Sequence, residues 1–75
     1  MYEPRAEDKK KIELAFTYHP PKGDQADRYV TIRDSARQLA MIFLESCPPS
    51  RELSLAITSL EQAVAWANSA IARNE

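Results

Sequence analysis

The chain has 75 residues, with ten Lys and Arg against eleven Asp and Glu, a net charge of −1, 44% hydrophobic residues and 28% charged ones. A fold this small leaves much apolar surface uncovered, and its single Cys47 excludes an intrachain disulfide and a Cys-rich metal site, so self-association is the remaining way to complete a core. The balanced charge disfavours long DNA or RNA and membrane surfaces. No run nears the ~20 apolar residues of a bilayer span, and the polar start with an unpaired cysteine points to the cytoplasm.

Residues 1 to 10 are polar and end in Lys9-Lys10, with Lys11 following; they read as a frayed segment or a short helix. Ile12, Leu14, Phe16 and Tyr18 alternate with polar or small residues, which is a strand period. A lone strand has no partner, so this stretch reads as an extended arm. The run His19-Pro20-Pro21-Lys22-Gly23-Asp24 is non-helical, because the prolines fix φ and the only glycine follows; arm and turn together take residues 1 to 23.

Asp24 is placed to cap a helix with Asp27 in its first turn, and no Gly or Pro intervenes before Pro48-Pro49, so helix one is expected over 24 to 47. Val30, Ala36, Leu39, Ala40 and Phe43 form its apolar stripe. Ser50 caps helix two, expected over 50 to 73, whose stripe is Leu53, Ala56, Ile57, Leu60, Ala63, Val64, Ala67 and Ile71. The Pro-Pro-Ser turn forces the two to fold back on each other. The expected fold is all-α: a single domain over residues 1 to 75, an antiparallel two-helix hairpin with an N-terminal extended arm or short helix, assembled as a compact homo-oligomer. Trp66 lies off the main stripe and is assigned to a subunit interface, with cover for the hairpin edge as the other reading. Cys47 reads as a small buried hydrophobe.

There is no Gly-rich phosphate loop, no nucleophile elbow and no metal-spaced pair of His or Cys, so no catalytic residue, metal or cofactor is expected. His19 has no Ser or Cys beside it and reads as a hydrogen-bonding or packing residue. The informative stretch is Phe16 to Arg33, which gathers Tyr18, His19, Lys22, Arg28, Tyr29 and Arg33 around a rigid turn and a helix start. These are the parts of a nucleotide pocket: aromatic faces stack on bases at roughly 1 to 3 kcal/mol each, guanidinium groups grip phosphates, and helix N-termini offer free N–H donors. A plainer arrangement fits as well, with the Tyr29 ring shielded by the Arg33 stem and His19, Lys22 and Arg28 solvated.

The segments Phe16-Thr17-Tyr18-His19-Pro20-Pro21-Lys22-Gly23-Asp24-Gln25, Arg28-Tyr29, Ile32-Arg33, Cys47-Pro48, Ser50-Arg51-Glu52, Ser54-Leu55-Ala56, Leu60-Glu61, Trp66-Ala67-Asn68 and Ile71-Ala72-Arg73-Asn74 carry a further signal in their order and spacing. Together they resemble the phage anti-CBASS family of cyclic-oligonucleotide sponges, whose hairpin domain is shared with phage anti-Thoeris sponges. The likeness covers nearly everything after residue 14. It implies a homohexamer that binds cyclic dinucleotides such as cyclic GMP-AMP without degrading them, in the cytoplasm of an infected bacterial host. It also implies that Tyr18 stacks on a base and Arg33 meets a phosphate, with His19, Pro21 and Lys22 lining the same pocket. A second site, for cyclic trinucleotides where three subunits meet, is implied at Arg73 and Asn74. A sponge for cyclic ADP-ribose-type signals and a phage protein-adaptor hairpin stay open beside this reading, and an enzyme that cleaves the signal has little support.

Overall fold

The computed structural model describes all 75 residues and contains three helices and no strand: α1 (Ala6–Phe16), α2 (Gln25–Ser46) and α3 (Arg51–Asn74). The extended arm expected over Ile12 to Tyr18 is corrected as far as Phe16, which is helical. Four alternating apolar residues are too short a pattern to outweigh local propensity. Ala6, Glu7, Lys9, Lys10, Lys11, Glu13, Leu14 and Ala15 are all strong helix formers, and Glu7 and Asp8 sit in the positively polarised first turn. Arg5 flanks the start, reaching Asp8 at 2.9 Å and Glu7 at 3.1 Å. The helix gives way after Phe16 to extended backbone at Thr17.

α2 and α3 pack along each other, whereas α1 makes only marginal contact with them. The half-buried apolar positions of α2 are Tyr29, Ile32, Ala36, Ala40 and Phe43, spaced three or four apart. Val30 and Leu39, expected in this stripe, are exposed, and Ile32 takes the seam position between them. On α3 the half-buried positions include Leu53, Ile57, Leu60, Val64 and Ile71, while Ala63 is exposed.

The tight end of the hairpin is built by its own residues. Cys47 is extended, as a residue before proline must be, and its N–H still donates to the Phe43 carbonyl at 3.0 Å. That places Cys47 outside the helix pair and leaves it exposed, which corrects its expected burial. The Ser50 hydroxyl accepts from the Leu53 N–H at 3.1 Å and donates to the Pro48 carbonyl at 3.0 Å, capping α3 and bracing the turn together. Ser50→Ala loses both bonds and is expected to cost about 1 kcal/mol, lowering the melting temperature by about 4 to 8 °C in a thermal scan of helicity.

A single chain encloses no apolar core: Gln25 is the one buried residue, and no hydrophobic side chain is buried. The molecule measures 50 × 38 × 13 Å with a radius of gyration of 16.7 Å, against about 11 Å for a compact domain of this length. Its thickness is that of one layer of helices. Met41, Ile42, Leu44, Leu55 and Trp66 (69% exposed) all present apolar surface to solvent. No helix is long and apolar enough to cross a membrane.

Candidate functional site

The turn between α1 and α2 is shaped by Gly23, whose φ of +58° lies in the left-handed region. That conformation costs other residues about 1 to 2 kcal/mol. His19 folds back on α1, its ring Nε2 donating to the Leu14 carbonyl at 3.0 Å. The carbonyl can only accept, so Nε2 carries a hydrogen in this contact. Lys22 bonds through its backbone, its N–H donating to Gln25 Oε1 at 3.1 Å.

Asp24 occupies the position before α2 but its side chain does not cap it, contrary to the sequence expectation. Its carboxylate turns to Arg28 instead, accepting from Nε at 3.2 Å. Arg28 simultaneously grips Glu75 at the far end of α3, donating from Nη1 to Oε2 at 2.7 Å and from Nη2 to Oε1. Gln25, only 4% exposed, adds a long bond from Nε2 to Glu75 Oε1 at 3.4 Å. These side chains clasp the open end of the hairpin.

The Arg28 hydrogen bonds, aided by Gln25 and by the charges of Arg28 and Lys22, outweigh the desolvation of Glu75 and hold its carboxyl at about 2. Reciprocally, the hydrogen bond to Glu75 raises Arg28, against its own desolvation. A carboxyl lowered in the folded state supports the fold above its unfolded value near 4.5 and loses that support as the pH falls towards 2. The wild-type melting temperature is therefore expected to drop between about pH 4.5 and 2 by more than that of Glu75→Gln, checked by thermal scans of both across that window.

His19, Lys22, Gln25 and Glu75 line a cavity of about 160 Å³ beside the clasp. Arg33 lies elsewhere, on a groove of about 310 Å³ between α2 and α3. Its floor is apolar, from Ala36, Ala40, Ile57, Leu60 and Val64, and Arg33, Arg37 and Glu61 stand around it. Neither Arg33 nor Arg37 forms an ion pair within the chain. Tyr18 is 81% exposed and lines no cavity, Pro21 is exposed, and Tyr29 is half-buried on α2. One chain thus brings His19 and Lys22 together, with Arg28 adjoining through Glu75, and leaves Tyr18 and Arg33 apart.

Arg73 and Asn74 share a separate depression of about 220 Å³ with Trp66, Ser69 and Ala70. Asn74 Nδ2 donates to the Ala70 carbonyl at 3.0 Å, which ties it to its own helix. Asn68 carries a buried side-chain oxygen with no partner in the chain. No group of three or more His, Cys, Asp or Glu is placed to hold a metal ion.

Sequence reasoning passed over Arg37, Gln25 and Glu75. Arg37 was legible, because it lies four positions after Arg33 and so on the same helix face. Glu75 left no local trace, since its partner lies 47 residues away.

The fold and its groove define an open helical hairpin that offers cationic side chains at its edges. The Acb2/Tad1 hairpin domain family matches the chain over residues 8–72. The chain belongs to this family, that of the anti-CBASS and anti-Thoeris sponges, which sequester cyclic oligonucleotides rather than turn them over. No curated protein and no solved structure matches it.

Proposed function

We propose that the protein is a phage counter-defence sponge that binds cyclic dinucleotides such as cyclic GMP-AMP, and cyclic trinucleotides at a second site, without cleaving them. The carrying observation is the groove at Arg33: two guanidinium groups, free of any carboxylate of their own chain, flank an apolar floor. Free guanidinium takes phosphate in paired hydrogen bonds, and an apolar floor takes a base. His19, Pro21, Lys22, Arg28 and Tyr29 belong to the proposed dinucleotide site, with Tyr18 stacking on a base. Arg73 and Asn74 belong to the proposed trinucleotide site.

Assembly completes the pocket in this reading. Tyr18 of one protomer closes over Arg33 of another, and a two-fold ligand meets the same residues twice. A homohexamer suits the absence of any buried apolar side chain in one chain. Sequestration in the host cytoplasm then deprives defence effectors of their activator, provided that release is slow.

Calorimetric titration of the wild-type chain with cyclic dinucleotides, a cyclic trinucleotide and cyclic ADP-ribose tests the reading. Tight saturable binding of a dinucleotide supports it. Binding of cyclic ADP-ribose alone moves the assignment to that class of signal, and no binding at all leaves a protein-adaptor hairpin as the better account.

A further inference from the structure

The geometry points to Arg28 and Gln25 as an anion site that Glu75 occupies from within the chain, so that a phosphate group enters only by displacing the Glu75 carboxylate. This rests on the reading of the protein as a binder of phosphate-bearing ligands, and deepens the Arg28 part of the proposed site, which within one chain lies apart from the Arg33 groove.

Three observations carry it. First, the Glu75 carboxylate is held as a phosphate would be, by the paired Nη1 and Nη2 donors of one guanidinium plus the Gln25 amide at 3.4 Å. The Gln25 amide is in turn aimed by the Lys22 N–H on its oxygen at 3.1 Å. Second, the pair is open to exchange: the side chains of Arg28 and Glu75 are 38% and 40% exposed, and Glu75 lines the cavity that His19 and Lys22 share. An incoming anion therefore reaches Arg28 from a side that already carries Lys22. Third, the Glu75 carboxylate is fastened by side chains alone, those of Arg28 and Gln25, so it can swing away by rotating its own torsions while the backbone of α3 stays as it is. Asp24 stays on Arg28 at 3.1 Å, so an incoming anion meets its repulsion as well as the pull of Arg28 and Lys22, and one that takes both Arg28 donors as a pair competes best with Glu75. Displacement also unties α3 from the start of α2, coupling ligand entry to the open end of the hairpin.

The test uses the full chain with nitrogen-labelled arginine side chains and inorganic pyrophosphate as the probe, following the Arg28 Nε–H signal by NMR. Glu75→Gln is expected to bind pyrophosphate about tenfold more tightly than wild type, with the Arg28 signal shifting on binding. The double variant Glu75→Gln with Arg28→Gln is expected to lose that gain. Equal affinity in wild type and Glu75→Gln, or a gain that survives removal of Arg28, overturns the proposal. Loss of helicity in Glu75→Gln by circular dichroism overturns it too, because Glu75 is then a side chain the fold needs and not an exchangeable one. The probe keeps this result separate from the function: a chain that shows the exchange with pyrophosphate and binds no cyclic nucleotide contradicts only the sponge reading.

Discussion

Arg33→Ala is expected to weaken cyclic dinucleotide binding by about a hundredfold or more. One charge-assisted hydrogen bond contributes about 1.5 to 3 kcal/mol, and a ligand shared by two protomers loses it twice. Arg33 is suited to this because its guanidinium has no ion-pair partner in the chain, whereas Arg28 is already gripped by Asp24 and Glu75. Arg33→Lys keeps the charge but not the paired donors, so an intermediate loss is expected. Tyr18→Ala removes a stacking surface and is expected to cost about 10- to 100-fold. Calorimetry on all three variants, beside circular dichroism to confirm helicity, checks the order. An Arg33→Ala protein that binds as tightly as wild type removes the groove from the account.

Leu60→Asp is the second large effect, and it falls on the fold. Leu60 is half-buried on α3 and borders the space between α2 and α3 on both sides of the hairpin. A carboxylate there loses the apolar contact and desolvates a charge without a partner, at a cost of about 3 kcal/mol or more. Helices of this length draw most of their stability from packing, so α2 and α3 are expected to melt together. Thr58→Asp, at an exposed position of the same helix, is expected to change little. Urea titration followed by circular dichroism separates the two variants.

How much of this could be read from the chain follows from the range of each interaction. The hairpin was legible because its signals are local. Pro48 and Pro49 stop one helix, Ser50 starts the next, and the apolar spacing repeats through both. The same locality misled at α1, where four alternating residues suggest a strand but the helix-forming composition around them prevails. At Asp24 the residue type and position suit a cap, yet Arg28 one turn later offers the carboxylate a charged partner and takes it. Val30 and Leu39 misled for a different reason. α2 carries more apolar residues than one seam can use, and only the register against α3 selects Ile32 over its neighbours.

The candidate site divides in the same way. Arg33 and Arg37 follow from spacing on one helix, whereas the clasp of Arg28 with Glu75 depends on the two helix ends meeting. Tyr18 and Arg33 are not brought together by one chain, and their meeting across two copies is part of the proposal. Residue type and order could signal the ligand class, whereas one chain does not bring all the proposed pocket residues together.

The most direct test of the sponge is to load the protein with its tightest cyclic dinucleotide, remove unbound ligand, denature the complex and examine what is released by mass spectrometry. Sequestration predicts intact cyclic dinucleotide in fixed proportion to protein, however long the incubation. Recovery of a linear or cleaved nucleotide that accumulates with time contradicts it and makes the protein an enzyme.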